Sequence, residues 1–353
     1  MGPDLARLAA DPLFPDGLGQ FRDTTVVLAG AGGLIARYVA AGLAALSRAH
    51  GQRLRLVLLA RNPAALRSWC TLFLDGVDYD VQQQVLGEPL GYRGDADVII
   101  HAGGGSSPAE YRRDPVGIAA ANVSAAFDLL DLARARQARI SYFSSREVYG
   151  HAQGSNGLLT ETTVGEFDHL ATRNVYPESK RMTESLLVAY HHQYAVDFQI
   201  LRLASVYGPG MKLHDDGRAM ADFIAARVAG KHLVLNSDGL ALRGYCYVLD
   251  AARAILAAGL NGHWPGVFNV ANETEPISIR DLAQRIAQLD VPGLEPSTVV
   301  AGPSAAPGGY SDFGYLGLDT SAIRSLGWTP VVGLDDGLRQ TLSAFVEGDA
   351  DGG

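Results

Sequence analysis

Short apolar segments alternate with longer amphipathic segments over the first two-thirds of the chain. The apolar segments predict buried β-strands at 24–29, 54–60, 98–102, 140–144 and 198–204. The amphipathic segments predict helices at 34–47, 62–74, 116–136 and 178–194. Strands that are apolar throughout and separated by helices are typical of a parallel sheet covered on both faces. The pattern therefore predicts an α/β fold built on a doubly wound parallel sheet.

The last third of the chain is less regular. Its pattern predicts helices at 218–229 and 279–289 and one further strand at 266–270. Ser278 is the expected N-cap of the second of these helices. The segment 302–309 is rich in Pro and Gly and is predicted to be a loop.

Composition excludes several classes of protein. With 353 residues, 47% of them hydrophobic, and a net charge of −9, the chain can bury a core and is not disordered. Only two cysteines are present, which excludes a disulfide scaffold. The sequence has no basic block, no signal-peptide pattern and no apolar run of the ~20 residues that a membrane span needs. We expect a cytoplasmic protein without a nucleic-acid or membrane partner.

Glycine is unusually frequent, at 41 residues, and one cluster lies between the first strand and the first helix. Residues 30–36 read GAGGLIA. In this context Gly30 allows a tight turn, Gly33 lets the backbone approach a pyrophosphate, and Ala36 packs helix on strand. An ordinary glycine-rich turn is the alternative. We predict a Rossmann-type dinucleotide site, with the following contacts at the turn and helix start: Gly30, Gly32, Gly33, Leu34 and Ile35.

The second predicted strand ends at Arg61 and Asn62. An acid at this position would bind the adenosine ribose, whereas an arginine accommodates a 2′-phosphate. Arg61 therefore favours NADP over NAD, and a solvent-exposed arginine at a strand end is the alternative.

Tyr176 and Lys180 are spaced to share one face of a helix that Pro177 helps to begin, with Asn174 as a nearby cap. A tyrosine base must ionise about three pH units below its free pKa of ~10, and a buried lysine beside an oxidised nicotinamide can supply that shift. Ser145 directly follows a strand, where a hydroxyl can reach a substrate oxygen beside the tyrosine. Alone, this tyrosine–lysine spacing is common by chance, and its weight comes from the dinucleotide turn upstream.

These motifs together resemble the extended short-chain dehydrogenase/reductases that modify nucleotide sugars, the NAD-dependent epimerase/dehydratase family. The resemblance covers most of residues 24–290 and is closest to the UDP-glucuronate decarboxylase branch. It is carried by the following segments: the glycine turn, 97–102, Asn122, 107–115, 144–150, 176–180, 202–209, 216–224 and 243–250.

The resemblance implies a role for each matching residue. Tyr176 is the base that takes the proton of the sugar C4 hydroxyl, Lys180 tunes it, Ser145 is the hydroxyl partner, and Glu147 matches an acid of dehydratases and decarboxylases. Ala102 and Gly103 join Arg61 and Asn62 among the expected cofactor contacts, which also include Tyr176 and Lys180. The expected substrate contacts are Ser107, Tyr111, Arg146, Ser205, Arg218 and Arg243.

The sequence departs from the family pattern at two of these positions. Arg146 stands where decarboxylases have serine and dehydratases have aspartate, which weakens a 4,6-dehydratase reading. Its guanidinium could bind a substrate carboxylate or phosphate as a bidentate fork, or pair with a nearby acid for structural reasons. Arg61 replaces the usual acid of the branch, so the choice between NAD and NADP stays open.

The resulting hypothesis is a nucleotide-sugar enzyme that oxidises C4 with bound NAD(P), with UDP-glucuronate decarboxylation as the leading outcome. The alternatives are a 4-epimerase, an NADPH-dependent 4-keto-sugar reductase and a non-catalytic nucleotide-binding regulator. A homodimer is expected from the family. No metal site is expected, because His191 and His192 lack partner ligands four residues away.

We expect one Rossmann domain and a smaller C-terminal α/β substrate-binding lobe. The Rossmann domain takes residues 20–204 and 246–273, and the lobe takes 205–245 and 274–346. Residues 1–19 and 347–353 are expected to be tails.

Overall fold

The computed structural model describes residues 1–105, 107–152, 157–302, 315 and 317–348. In chain order the strands are β1 Thr25–Ala29, β2 Arg55–Ala60, β3 Asp78–Gln83, β4 Val98–His101, β5 Arg139–Ser145, β6 Leu158–Leu159, β7 Phe198–Leu203, β8 Ser205–Tyr207, β9 Leu233–Leu235, β10 Leu242–Arg243, β11 Tyr245–Tyr247, β12 Gly266–Val270, β13 Ile277–Ser278, β14 Val299–Ala301 and β15 Gly317–Leu318. The α-helices are α1 Gly2–Ala9, α2 Leu34–His50, α3 Pro63–Phe73, α4 Pro108–Arg113, α5 Pro115–Ala119, α6 Ala125–Arg136, α7 Val175–Tyr194, α8 Ala219–Val228, α9 Val248–Leu260, α10 Ile279–Gln288, α11 Ser321–Arg324 and α12 Leu334–Val346. Shorter turns of helix are Gly19–Phe21, Arg146–Tyr149 and Thr172–Asn174, with a π-helical turn at Ala120–Ser124.

The central sheet has seven parallel strands in the order β12-β7-β5-β4-β1-β2-β3. The chain runs outward from β1 to β2 and β3 on one side, and from β4 to β5, β7 and β12 on the other. The order therefore reverses between β1 and β4, where Ala29 pairs with His101. Ligands of doubly wound sheets bind at this switch point, at the carboxyl ends of the strands.

Both faces of the sheet are covered. Val26 and Leu28 of β1 belong to a core with α2 and α9, whereas the alternate residues Val27 and Ala29 belong to a second core with α6 and α7. The two cores follow from the alternation of side chains along a strand. This confirms the doubly wound α/β prediction.

Two elements of the central domain carry no clear sequence pattern. β3 lies at the edge of the sheet and is only partly buried. It can therefore include the polar residues Asp78, Asp80 and Gln82, which hide the pattern of a buried strand. All of α9 is buried, so it lacks the polar stripe that marks an amphipathic helix. The expected strands at 24–29, 54–60 and 266–270 match β1, β2 and β12 to within one residue.

The prediction that residues 1–19 form a tail was wrong. Gly2–Ala9 is a helix, and Leu8 is fully buried in the core that contains α2 and α9. The buried Asp4 carboxylate accepts hydrogen bonds of 2.9 Å from the hydroxyls of Tyr38 and Tyr247. This contact ties the N-terminus to α2 and β11.

The long helix expected at 116–136 is a helical run interrupted by the π-helical turn. In the part of the chain that the structure describes, Pro115–Arg136 is long and apolar enough, by length and composition, to cross a membrane. Leu129, Leu130 and Ala133 are nevertheless packed in the second core of the sheet. The apolar face of this helix is thus explained by its place in the fold.

The C-terminal part of the chain builds short strand pairs, with helix α8 packed against α10. Ser278 caps α10 as expected, its side chain accepting a 3.0 Å hydrogen bond from the Asp281 N–H. Of the loop expected at 302–309, residues 303–309 lie outside the described residues, as do 349–353 of the expected C-terminal tail. The division into a domain and a lobe stays a prediction.

Candidate active site

The glycine turn joins β1 to α2 at the switch point. Gly30 has a φ of 84°, and a Cβ on it would lie 2.6 Å from the Gly103 Cα, so only glycine fits. A Cβ on Gly103 would in turn overlap the Leu86 side chain. The turn after β1 and the turn after β4 therefore meet backbone to backbone, which makes a shallow floor at the carboxyl edge of the sheet.

The turn presents free backbone donors and open space. Gly33 is the N-cap residue of α2 and has no side chain to bind the first N–H groups of the helix, which begins at Leu34 and Ile35. A Cβ on Gly32 would meet nothing within 4 Å. These residues fit the pyrophosphate of a dinucleotide, since helix N-termini favour anions.

Arg61 and Asn62 follow β2, on the other side of β1 from β4. Asn62 caps α3, its side chain accepting a 3.3 Å hydrogen bond from the Ala65 N–H, so its side chain is already engaged. The exposed Arg61 makes no hydrogen bond or ion pair with the described residues. It stands where the ribose of a bound dinucleotide would lie.

Tyr176 and Lys180 share a buried face of α7, with exposed fractions of 5% and 4%. The Lys180 Nζ donates a 2.9 Å hydrogen bond to the Phe143 carbonyl of β5 and lies 5.8 Å from the Tyr176 ring centroid. Asn174 occupies the N-cap position, but it makes no side-chain cap, because its amide donates to the Asp168 carbonyl at 2.8 Å. α7 therefore begins at Val175, earlier than predicted, and Tyr176 lies in its first turn.

The hydroxyls of Ser145 and Tyr111 act on the Tyr176 oxygen, and both lower its pKa. The Tyr111 ring is stacked on the Tyr176 ring, at 4.5 Å between centroids and 13° between planes. Burial outweighs these effects and, with the charge of Glu147, raises the pKa of Tyr176 to about 12. Burial lowers the pKa of Lys180 to about 7. The chain alone thus holds Tyr176 protonated and surrounds its oxygen with groups that stabilise its anion.

Ser145 and Glu147 follow β5 directly. The Ser145 Oγ accepts a 3.2 Å hydrogen bond from the Glu147 N–H and so caps the short helix that carries Glu147. The pKa of Glu147 is raised chiefly by burial, an effect that Arg173, 3.9 Å away, partly offsets. A buried carboxyl group with a raised pKa beside Tyr176 is suited to proton transfer.

Three predicted substrate arginines converge on this edge. Arg218 binds Asp216 in a bidentate pair, with 2.7 Å between Nη2 and Oδ2, and its charge acts on Tyr111 and Tyr176. Arg243 donates to the Leu242 carbonyl at 2.6 Å, and its pKa is lowered by burial and then by Arg146. Arg146 makes no hydrogen bond or ion pair with any described residue, so the alternative of a structural pair is not what the structure shows.

The remaining predicted substrate residues differ in what they do. Tyr111 lies in the site, as described above. The Ser107 Oγ caps α4, accepting a 3.2 Å hydrogen bond from the Glu110 N–H, so its side chain has a structural role. Ser205 begins β8, where it pairs with Tyr245.

The sequence did not single out Tyr245 or assign a role to Asn122. Tyr245 is half-buried and lies within the field of Arg243, Arg146 and Arg218. Its spacing of two residues from Arg243 was the available signal, since such residues face the same side of an extended chain. The Asn122 amide lies in the π-helical turn and donates to the Ser179 Oγ at 2.9 Å, which joins that turn to α7.

The fold and these contacts define a class of protein. A pyrophosphate-type turn at the switch point and a buried tyrosine–lysine pair after β5 belong to nicotinamide-dependent enzymes that act on a hydroxyl or keto group. The chain belongs to the NAD-dependent epimerase/dehydratase family, whose model matches residues 26–271. It is accordingly an NAD(P)-dependent enzyme.

Relatives and solved structures agree with this assignment. The chain is 32% identical over 248 residues to UDP-glucuronic acid decarboxylase 6 of Arabidopsis thaliana, covering 69% of this chain and 68% of the relative. It is 29% identical to UDP-glucuronic acid decarboxylase 1 of Xenopus tropicalis, covering 71% of this chain and 57% of the relative.

The fold is similar to that of UDP-glucose 4-epimerase from Thermotoga maritima with UDP-glucose, with a TM-score of 0.74, 21% identity, and coverage of 92% of this chain and 99% of the other. MoeE5 in complex with UDP-glucuronic acid and NAD gives a TM-score of 0.73 at 22% identity, with the same coverage.

Proposed function

We propose that the protein oxidises C4 of a UDP-uronic acid and then releases the carboxyl carbon as CO2, as a UDP-glucuronate decarboxylase does. The observation that carries this proposal is the buried Tyr176, whose ring stacks on Tyr111 at 4.5 Å and lies 5.8 Å from the Lys180 Nζ. The names of two relatives, UDP-glucuronic acid decarboxylases 6 and 5 of Arabidopsis thaliana, support the substrate.

The first step is removal of the C4 hydroxyl proton by Tyr176. An oxidised nicotinamide held at the glycine turn would supply the acceptor for the C4 hydride, the hydride that later restores C4, and a positive ring charge. Ser145 and Tyr111 stabilise the Tyr176 anion by donating to its oxygen, and the cationic form of Lys180 adds a charge at close range. Burial of Tyr176 excludes water from the reacting oxygen.

The second step follows from the chemistry of the oxidised sugar. A ketone at C4 makes the carboxylate on C5 a β-keto acid, so the bond between C5 and C6 can break with its electron pair moving to the C4 oxygen. CO2 leaves, and hydrogen bonds at the C4 oxygen stabilise the enolate. C5 then takes a proton, for which Glu147, a buried acid with a raised pKa, is suited.

Two other outcomes use the same residues. 4-Epimerisation needs only Tyr176, Lys180 and a hydroxyl such as Ser145, with return of the hydride to the opposite face. A 4-keto-sugar reductase would use NADPH, which the exposed Arg61 at the end of β2 favours. Identification of the nicotinamide released from denatured protein separates a recycled cofactor from a consumed one.

The assembly and the location belong to the same proposal. We propose a homodimer, supported by exposed apolar side chains on the neighbouring helices α5 and α7, namely Val116, Met182 and Val188. We propose a cytoplasmic location, with which the two free cysteines, Cys70 and Cys246, agree.

The proposal is tested by incubating the protein with UDP-glucuronate, UDP-glucose and UDP-N-acetylglucosamine and measuring the masses of the products by mass spectrometry. The expected result is loss of the mass of CO2 from UDP-glucuronate, abolished by Tyr176→Phe and kept by Tyr190→Phe, a second tyrosine of α7 that binds Asp131 instead. Unchanged turnover in Tyr176→Phe would refute the mechanism. A new isomer of unchanged mass would replace decarboxylation by epimerisation.

A further inference from the structure

Two arginines of the site form no ion pair with a described acid. Arg146 makes no hydrogen bond or ion pair with the described residues, and Arg243 donates to the backbone carbonyl of Leu242. Their charges act on each other, on Tyr245 and on Glu147. Two guanidinium groups held together in a partly buried site favour an anion between them.

The described acids near these arginines do not balance their charge. Asp216 is held by Arg218 in a bidentate pair, and Glu273 accepts hydrogen bonds from Tyr315 and from a backbone N–H. Glu147 lies 3.9 Å from Arg173 and also feels the charges of Arg146 and Arg243, so three cations share one carboxylate. Positive charge therefore remains available to a ligand.

The chain position of Arg146 decides which part of a sugar nucleotide it faces. Arg146 lies between Ser145, which donates to the Tyr176 oxygen, and Glu147, whose charge acts on Tyr176. The C4 hydroxyl of the substrate must meet that oxygen. The substituent on C5 is bonded to the neighbouring carbon, whereas the diphosphate on C1 lies across the ring. Arg146 is thus placed for the C5 substituent.

We propose that Arg146, with Arg243 beside it, binds the C6 carboxylate of a uronic acid and makes the site selective for uronic acids over neutral hexoses. This inference rests on the proposed function, because it takes C4 to be the carbon at Tyr176. A planar guanidinium binds a carboxylate through two parallel hydrogen bonds, which a serine at this position cannot do. Arg146 is a specificity-determining residue in this account.

The proposal implies a split between binding and turnover. As CO2 leaves, negative charge moves from the carboxylate to the C4 oxygen. A cation fixed at the carboxylate therefore stabilises the bound substrate more than the transition state. Loss of Arg146 should raise KM for UDP-glucuronate by about tenfold or more. It should leave kcat for decarboxylation unchanged or raise it.

The test measures Kd for UDP-glucuronate and for UDP-glucose on NAD-loaded protein by calorimetry, and KM and kcat where turnover occurs. Wild type is expected to bind UDP-glucuronate the more tightly. Arg146→Ala should remove that preference and Arg146→Lys should keep part of it. Arg22→Ala, at an exposed arginine whose side chain makes no hydrogen bond with the described residues, should change nothing. Arg146→Gln replaces the alanine variant if circular dichroism shows that the alanine variant does not fold.

The outcomes separate this proposal from the proposed function. An unchanged preference in Arg146→Ala overturns the inference alone, as does an equal loss of affinity for both ligands, which would place Arg146 at the diphosphate. Failure of wild type to bind or convert any UDP-sugar overturns the proposed function together with this inference.

Discussion

At the scale of single residues, burial works against the charges that catalysis needs. Burial raises the pKa of Tyr176 to about 12 and lowers the pKa of Lys180 to about 7, so near pH 7 the cofactor-free protein holds Tyr176 neutral and Lys180 only about half protonated. The positive ring of a bound nicotinamide reverses the balance at Tyr176, since a nearby cation favours its anion. Activation of the base is therefore coupled to cofactor binding.

The buried lysine should be visible in the pH dependence of stability. Its pKa is about 7 in the folded chain against 10.5 for the free group, so between these values the unfolded chain binds the proton and the folded chain does not. Lys180 therefore makes the unfolding free energy of the cofactor-free protein rise with pH in this window, by at most about 1.4 kcal/mol per pH unit.

Lys180→Met should flatten that rise, while Lys212→Met, at an exposed lysine, should leave it unchanged. Urea denaturation at a series of pH values measures the slope. Equal slopes in wild type and Lys180→Met would show that Lys180 keeps its proton in the folded state.

At the scale of elements, the predicted cofactor site depends on the contact between two turns at the carboxyl edge of the sheet. The turn after β1 and the turn after β4 approach so closely that a Cβ on Gly30 would lie 2.6 Å from Gly103. The positive φ of Gly30 adds a second reason for glycine.

Gly30→Ala should destabilise the fold by about 1 kcal/mol or more and weaken NAD(P) binding at least about tenfold. Gly32 is the matched control, because its Cβ position is open, and Gly32→Ala should leave the unfolding free energy nearly unchanged. Denaturation and cofactor titration give the two quantities. A Gly30→Ala protein of wild-type stability would contradict the close approach.

The strands and helices differ in how well the sequence predicts them. Buried parallel strands such as β1 and β2 are apolar throughout and were predictable, as was the glycine turn between β1 and α2. β3 was missed because an edge strand is partly polar, and α9 because a helix buried on all sides has no stripe. Ser107 and Asn62 show the limit for single side chains, since a matched motif position can be used for a helix cap.

At the scale of the whole molecule, the N-terminal helix joins distant parts of the chain. Asp4 accepts hydrogen bonds from Tyr38 of α2 and Tyr247 of β11, and Tyr247 also contacts Gln340 of α12. No sequence pattern near residue 4 indicates this, because the partners are 34 and 243 residues away.

Asp4→Ala should lower the unfolding free energy by about 1–3 kcal/mol, since it leaves the buried Tyr38 hydroxyl without its acceptor and leaves Tyr247 with Gln340 alone. Asp16→Ala, at an exposed aspartate of the same N-terminal region, should cost far less. Denaturant midpoints of the two variants at one pH measure the difference. Equal midpoints would mean that the contacts of Asp4 do not stabilise the fold.

The central claim is that Tyr176 drives oxidation of the substrate at C4, and a single-turnover experiment tests it most directly. NAD-loaded protein is mixed with UDP-glucuronate, quenched at intervals, and the released nicotinamide is analysed for its reduced fraction. In wild type this fraction should rise and then fall as product forms, whereas in Tyr176→Phe it should stay at its starting value. Reduction of the nicotinamide by Tyr176→Phe at the wild-type rate would contradict the account.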